Sequence, residues 1–205
     1  GLSFATVIFT PPRGVFTSGA NRRLSPFYLH SEMIPIYPTE WPVFYTATIY
    51  QWTPLLSNDK YKNIILESLR YLVKSKRIEL SAFVIMSNHI HLIWQILPGF
   101  TQTSVQLSFM KFTAQQLKFA LMKDDLQMLE KFKVDLSDRK YQFWKRQALS
   151  IELFTPKVFE QKIDYIHYNP VTAGICKFPE DYYFSSAKFY HDGTRSFDML
   201  THYMG

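Results

Sequence analysis

Four short stretches of the chain are rich in β-branched and aromatic residues and predict β-strands. They lie at residues 43–50, 80–86, 90–96 and 148–154. A polar break at Ser87 and Asn88 separates the second stretch from the third, so we expect a turn that joins two neighbouring strands there.

Three longer stretches carry hydrophobic residues at helical spacing. The first follows Asn58 or Asp59, since either side chain can cap the free amides of a first turn. The second covers about residues 104–122, and the third begins at Thr155 and Pro156. A hydroxyl cap followed by proline at the first helical position is a typical helix start.

The end of the third predicted helix is set by a proline. We expect the helix to stop near Asn169, because Pro170 lacks an amide hydrogen and disfavours helical backbone in the residue before it. Gly174 suits the left-handed position that closes a helix after its final turn.

The order strand, helix, strand, strand, helix, strand, helix defines the predicted fold class. It is the split βαβ, ferredoxin-like pattern of an α+β protein, with one extra helix at the C-terminal end. We expect a four-stranded antiparallel sheet with the helices mostly on one face. The charged stretch 124–138 is read as an insertion that adds a helical turn or two.

The predicted domain covers residues 41–191, between an extension at 1–40 and a tail at 192–205. Prolines and glycines break any regular period in the extension. Two interpretations stay open for it: a basic arm that touches DNA through Arg13, Arg22 and Arg23, or a segment that only packs on the surface. The aromatic residues after 175 are expected to wrap over the sheet.

Composition and charge indicate the class of binding partner and the cellular compartment. The net charge of +6 and an aromatic content of 17% favour nucleic acid over a membrane surface as the partner. The sequence contains no run of ~18 apolar residues, so it predicts no membrane span. The lone Cys176 excludes a disulfide framework and a thiolate zinc cluster, and with no signal pattern we expect a cytoplasmic protein.

Residues 139–146 interleave cations with aromatic side chains. Such a segment can hold phosphates and stack bases at the same time. The alternative is a solvated basic loop in which Phe143 and Trp144 are buried.

A pair of histidines follows the polar break directly. Side chains two apart in a strand share a face, so His89 and His91 lie together while Ile90 points into a core. Two neighbouring imidazoles form half of a site for a divalent transition metal. Two partly exposed histidines that close a hairpin are the plainer interpretation.

Tyr165 and Asn169 are four residues apart and therefore lie on one face of the third predicted helix. The phenol can serve as a nucleophile, and the amide oxygen can serve as a third metal ligand. Taken alone, the pair is better explained as a core aromatic and a helix end cap.

The two motifs together resemble the HUH single-tyrosine transposases. The match is closest to the branch associated with repetitive extragenic palindromes (REP) and covers about residues 42–191. It rests on a strand-borne His-x-His and on the later Asp-Tyr-Ile-x-x-Asn-Pro-Val-x-x-Gly, with secondary matches in the segments before the last strand and in the tail. These segments are residues 89–91, 164–174, 143–146 and 183–187.

The resemblance implies a ferredoxin-like nuclease that cuts and rejoins single-stranded DNA near hairpins. By carry-over, His89, His91 and Asn169 bind Mg²⁺ or Mn²⁺, and Tyr165 is the nucleophile that forms a 5′-phosphotyrosine. Tyr168, three residues later, is the main alternative candidate for the nucleophile. Insertion-sequence relatives are dimers, whereas the palindrome-associated branch is expected to act as a monomer. Composition alone assigns DNA contacts to Lys111, Lys118, Lys140, Lys145 and Arg146.

Other classes of function stay open from the sequence. One is a catalytically inactive module that binds hairpin DNA or RNA on the same fold. A second is a metal-dependent hydrolase that forms no covalent intermediate, and a third is a structural protein whose histidines are incidental.

Overall fold

The fold is that of a computed structural model of the chain, which describes residues 41–203. These described residues belong to one compact unit. The predicted extension at 1–40, with its three arginines, lies outside the described residues.

The described part of the chain contains six strands and five helices, together with three short 3₁₀ turns. The strands are β1 (Val43–Thr48), β2 (Ile78–Ile85), β3 (His89–Ile96), β4 (Lys133–Leu136), β5 (Arg139–Tyr141) and β6 (Leu149–Glu152). The helices are α1 (Asp59–Lys74), α2 (Gln102–Asp124), α3 (Leu126–Glu130), α4 (Pro156–Thr172) and α5 (Ala187–Asp192). The 3₁₀ turns are Tyr50–Trp52, Leu55–Ser57 and Pro179–Asp181.

Four of the strands form one antiparallel sheet in the order β2-β3-β1-β6. This is the strand order of a ferredoxin-like split βαβ unit, so the predicted α+β fold class is confirmed. The first strand lies in the centre, and β3 pairs with it in a register that sets Thr46 opposite His91 and Thr48 opposite His89.

The sheet is covered on both faces. On one face, Tyr45 and Trp94 join the larger core with α1 and α2. On the other face, Phe44 and Ile93 pack with residues of α4 such as Ile163. The period-2 alternation of β3 therefore turns Ile90 towards the larger core and both histidines towards α4.

The predicted helix starts are confirmed in detail. The side chain of Asn58 accepts a hydrogen bond of 3.0 Å from the amide of Lys60, which caps α1. The Thr155 hydroxyl accepts one of 3.3 Å from the amide of Val158 at the start of α4.

The predicted end of α4 near Asn169 is wrong. The helix continues to Thr172 with Pro170 inside it. The proline forfeits one amide hydrogen bond, but it is buried, and its carbonyl accepts from Ile175 in the closing turn. Gly174 takes the predicted left-handed conformation, with φ of +70°, and donates to the carbonyl of Val171. These two bonds form a Schellman motif, which offsets the loss at the proline.

The insertion differs from its prediction as well. Besides α3 it contains β4, which forms a hairpin with β5 directly after the insertion, and both strands are short and mostly exposed. Phe132 anchors the hairpin by stacking on Phe143 at a centroid distance of 4.7 Å. Its carbonyl also accepts from the amide of Gln142. This aromatic pair therefore packs at the base of the hairpin, directly before β4 and shortly after β5.

The C-terminal segment runs along the free edge of β2. The Ile85 amide donates to the carbonyl of Phe184, and the Thr201 amide donates to the carbonyl of Leu80. Phe197 is buried against Phe83. The segment thus satisfies the unpaired groups of an edge strand and contributes to the core.

Across residues 41–203, no helix combines the length and the hydropathy that crossing a lipid bilayer requires.

Candidate active site

The two histidines lie where β3 begins, directly after the turn at Ser87 and Asn88. This turn is closed by the amide of Met86, which donates to the carbonyl of His89 at 2.9 Å. The imidazole centroids of His89 and His91 are 4.8 Å apart. His91 is buried, and His89 is partly open to solvent.

The ring of His91 is held by Thr46 at one edge and by Phe44 on one face. Its Nδ1 shares a hydrogen bond of 2.7 Å with the hydroxyl of Thr46, the residue opposite it on β1. Phe44 stacks on the ring at 5.4 Å between centroids. Nε2 is buried without a hydrogen-bond partner among residues 41–203. When Nδ1 donates to the hydroxyl, this orphaned Nε2 presents a lone pair, which is the arrangement of a metal-binding histidine.

His89 is oriented in a similar way. Its Nδ1 donates to the amide oxygen of Asn88 at 2.7 Å, because a carbonyl oxygen can only accept, and the lone pair therefore lies on Nε2. A side-chain hydrogen bond also links His89 to Asn169 of α4.

Both imidazoles are held neutral. Burial lowers the pKa of His91 to about 3, and the charge that His89 would carry if protonated and the ammonium of Lys162 act in the same direction. Burial also lowers the pKa of His89, while the hydrogen bond with Asn169 acts against that shift. A neutral imidazole keeps the lone pair that metal binding needs.

One face of α4 completes the cluster. Tyr165 lies with its ring centroid 5.1 Å from that of His91 and 5.9 Å from that of Phe44. The Nζ of Lys162, one turn earlier, lies 4.8 Å from the ring of Phe44 and 5.7 Å from the ring of Tyr165. Lys162, Tyr165 and Asn169 are spaced three and four residues apart, so helical geometry presents them together.

The competing tyrosine stands apart from this cluster. Tyr168 and Tyr165 are similarly exposed, 56% and 50%. The ring contacts of the described residues include none between Tyr168 and His89 or His91. The nearby His167 is buried on another side of α4, where its Nε2 is 2.8 Å from the hydroxyl of Ser186.

The chemistry of the donors fits a divalent ion. Two neutral imidazoles, one with a buried orphaned nitrogen, stand beside the amide of Asn169. Within the described part of the chain, no group of three or more His, Cys, Asp or Glu side chains is arranged to hold a metal. The amide of Asn169, which hydrogen-bonds His89, is placed to be a third protein donor, and a set of two imidazoles and an amide carries no negative charge.

Sequence reasoning did not single out Trp52, which the structure places beside His89. Gln51 and Trp52 both have left-handed backbone, with φ of 53° and 56°. The indole is 56% exposed, and its centroid is 6.3 Å from that of His89. The one available signal was an aromatic residue just after a strand that pairs with the histidines.

The basic residues assigned from composition are only partly brought together. Lys111, Lys145 and Arg146 line a groove of about 970 Å³ between α2 and the segment 138–148. Lys118 lies over Tyr141, a residue of the same groove, at 5.6 Å. Lys140 instead lines a separate depression beside acidic side chains, which are Glu130 and Asp135.

Two of the three aromatic residues of the basic segment are not available for base stacking. Phe143 and Trp144 are buried, and the indole Nε1 of Trp144 donates to the hydroxyl of Thr113 at 3.0 Å. The structure therefore matches the alternative interpretation of residues 139–146 in which these two rings belong to the core.

Comparison with known proteins bears on the fold. No family model matches the sequence, and no curated protein matches it. Among the solved structures, a REP-associated tyrosine transposase bound to a REP hairpin matches with a TM-score of 0.55 and 20% identity, over 75% of this chain and 81% of that one. A candidate transposase from Deinococcus radiodurans R1 matches with a TM-score of 0.45 and 14% identity, over 63% of this chain and 91% of that one.

Of these two likenesses, only the first overlaps well enough to bear on the architecture. The chain has the ferredoxin-like α+β fold that this transposase also has.

Proposed function

We propose that this protein is a divalent-metal-dependent, single-tyrosine transposase that cuts and rejoins single-stranded DNA beside a hairpin. The observation that carries the proposal is the convergence of His89, His91, Tyr165 and Asn169 from two elements far apart in sequence. The likeness to a fold solved with a hairpin supports the substrate class.

Tyr165 is the nucleophile in this proposal. Its Oη attacks the scissile phosphorus, and a phosphotyrosine ester forms as the bond from phosphorus to the 3′ oxygen breaks. The 5′ phosphate stays on the tyrosine, and the released 3′-hydroxyl takes up a proton. Because half of Tyr165 is exposed, its phenol proton passes to solvent. The ester is retained, so attack by a 3′-hydroxyl rejoins strands without ATP.

His89, His91 and Asn169 would hold the divalent ion, which when bound offsets the negative charge of the phosphate and of the transition state. Thr46 and Asn88 keep both imidazoles in the tautomer and orientation that this requires. A donor set with two imidazoles favours Mn²⁺ over Mg²⁺, whose preferred ligands are oxygens.

Lys162 supplies a second positive charge on the same face of α4. Its Nζ lies over the ring of Tyr165 and raises the local potential at His91. A phosphate bound between them is anionic, so Lys162 contacts a non-bridging oxygen and positions it for attack.

The test is strand cleavage on a pool of hairpin oligonucleotides with randomised single-stranded flanks and added Mn²⁺. We expect cleavage by the unaltered chain and by Tyr168→Phe, and none by Tyr165→Phe. The two variants remove the same hydroxyl from similarly exposed tyrosines three residues apart.

Each of the other outcomes identifies a different class of function. Cleavage that survives Tyr165→Phe would point to a hydrolase without a covalent intermediate. Hairpin binding without cleavage by any form would point to a catalytically inactive DNA-binding module.

A further inference from the structure

Trp52 is an exposed indole held between the histidine pair and the basic groove. On one side its centroid lies 6.3 Å from that of His89, with the rings at 72°. On the other side the Nζ of Lys145 lies 5.0 Å from the ring. Lys145 also lines the groove that contains Lys111 and Arg146, so Trp52 joins that groove to the candidate active site.

The backbone that presents the indole is strained. Gln51 and Trp52 are consecutive non-glycine residues with positive φ, a conformation that side chains with a Cβ rarely adopt. Hydrogen bonds hold the turn: the Trp52 amide donates to the carbonyl of Ile49, and the Asn88 side-chain amide donates to the carbonyl of Trp52. Strain of this kind, kept in place by surrounding bonds, is a feature of ligand-binding sites.

The exposure of Trp52 has no packing explanation. The chain buries Trp94 and Trp144 almost completely, yet leaves 56% of Trp52 open to solvent. A flat aromatic surface with a cation beside it binds a nucleobase by stacking, while the cation binds the adjoining phosphate. Asn88 orients both Trp52 and His89, so a base on the indole lies next to the metal-binding histidines.

We propose that Trp52 is a stacking platform for one unpaired base of the DNA strand, next to the phosphate that is cut, and that Lys145 binds the backbone of the same nucleotide. This inference rests on the proposed function. It adds a subsite that fixes how single-stranded DNA enters the active site, from the basic groove across Trp52 to His89.

The experiment measures binding without cleavage. A Tyr165→Phe chain and its Tyr165→Phe/Trp52→Ala counterpart are titrated in EDTA with the selected hairpin oligonucleotide. The oligonucleotide is used intact and with an abasic site at each single-stranded position in turn. Trp52→Ala is expected to weaken binding about tenfold, and Trp52→Phe to retain most of the affinity.

One abasic position identifies the stacked base. Removing that base should weaken binding to the chain that keeps Trp52, and should cause no further loss in the Trp52→Ala chain, since the two changes delete one interaction. The intrinsic fluorescence of Trp52 should also be quenched on binding.

Tyr71 provides a matched control. It is an exposed aromatic with a cation, Arg77, over its ring at 5.6 Å. It belongs to the end of α1 that leads into β2, and the Leu97 amide, just after β3, donates to the backbone carbonyl of Arg77. It is thus roughly 20 Å along the sheet from His89. Tyr71→Ala should leave binding unchanged.

The outcomes separate the two proposals. The stacking subsite would be overturned if the Tyr165→Phe chain and its Trp52→Ala counterpart bind equally well. It would also be overturned if, at every abasic position, the loss of binding from the missing base adds to the loss from Trp52→Ala. The proposed function would stand in either case. No binding of any oligonucleotide by the chain that keeps Trp52 would overturn both. Circular dichroism and thermal unfolding verify that each variant is folded.

Discussion

At the scale of single residues, the site is built from side chains whose orientation is set by a neighbour. Thr46 fixes His91, Asn88 fixes His89, and Phe44 stacks on the inner ring. The strand period predicts that His89 and His91 share a face, and the resemblance to single-tyrosine transposases assigns Tyr165 to the same site. Their partners were not predicted, because Thr46 and Phe44 reach the site only through the pairing of β1 with β3.

Lys162 gives a prediction at this scale. Lys162→Met keeps most of the length of the side chain but removes the charge that lies over Tyr165. It should slow cleavage roughly tenfold, which is a small effect for the loss of one charge-stabilising group, because the site is open to solvent. Single-turnover cleavage rates measure the effect.

The matched control is Lys157→Met, in the exposed first turn of the same helix. It should cleave at the original rate, and Lys162→Arg should recover most of the loss. Equal rates for Lys162→Met and Lys157→Met would remove Lys162 from the mechanism.

At the scale of elements, α4 depends on its closing turn to hold Asn169 in a helix despite the adjacent proline. The sequence indicated both the proline and Gly174, but their effects oppose each other, and burial of Pro170 decides the outcome. The hairpin β4–β5 was not predicted from the sequence because its strands have only four and three residues and are mostly exposed.

Gly174→Ala tests the importance of this turn. A Cβ there meets no atom within 4 Å, so the cost is backbone strain at φ of +70°, about 1 kcal/mol of unfolding free energy. We expect that loss in urea unfolding, together with several-fold slower cleavage, because the strained residue closes the turn in which the Asn169 carbonyl accepts from Ala173.

Gly193→Ala is the control, because Gly193 closes α5 at φ of +72° and its Cβ would also meet nothing. It should cost similar stability and leave cleavage unchanged. Equal cleavage by both variants would show that the end of α4 does not position Asn169.

At the scale of the whole molecule, the C-terminal segment bears on the stability of the fold, and the basic groove bears on DNA binding. The four-stranded sheet was predictable because its strands and helices follow hydrophobic periods. The path of the segment after 175 along the edge of β2 was not, since its bonds involve backbone amides and carbonyls that carry no sequence signature.

Phe197→Ala tests whether the segment is part of the core. Phe197 is buried against Phe83, so truncation should cost about 3 kcal/mol of unfolding free energy. Phe178→Ala, an exposed ring of the same segment, should cost less than about 1 kcal/mol. Equal costs in urea unfolding would contradict the packing described for the segment.

The salt dependence of oligonucleotide binding tests whether the basic groove contacts DNA. Binding of the hairpin oligonucleotide should weaken with salt, and Lys111→Ala or Arg146→Ala should each reduce the log–log slope by about one. Lys140→Ala, whose depression also contains Glu130 and Asp135, should leave the slope unchanged. A slope that changes equally in all three variants would mean that the groove is not the binding surface.

Detection of the covalent intermediate is the most direct test of the central claim. The chain is incubated with Mn²⁺ and a hairpin oligonucleotide labelled at its 3′ end, because the strand that carries the 5′ phosphate stays on the protein. A labelled protein band on a denaturing gel is expected from the unaltered chain and from Tyr168→Phe, with peptide mapping to Tyr165. Cleaved DNA without a labelled band, or a band that persists in Tyr165→Phe, would contradict the account.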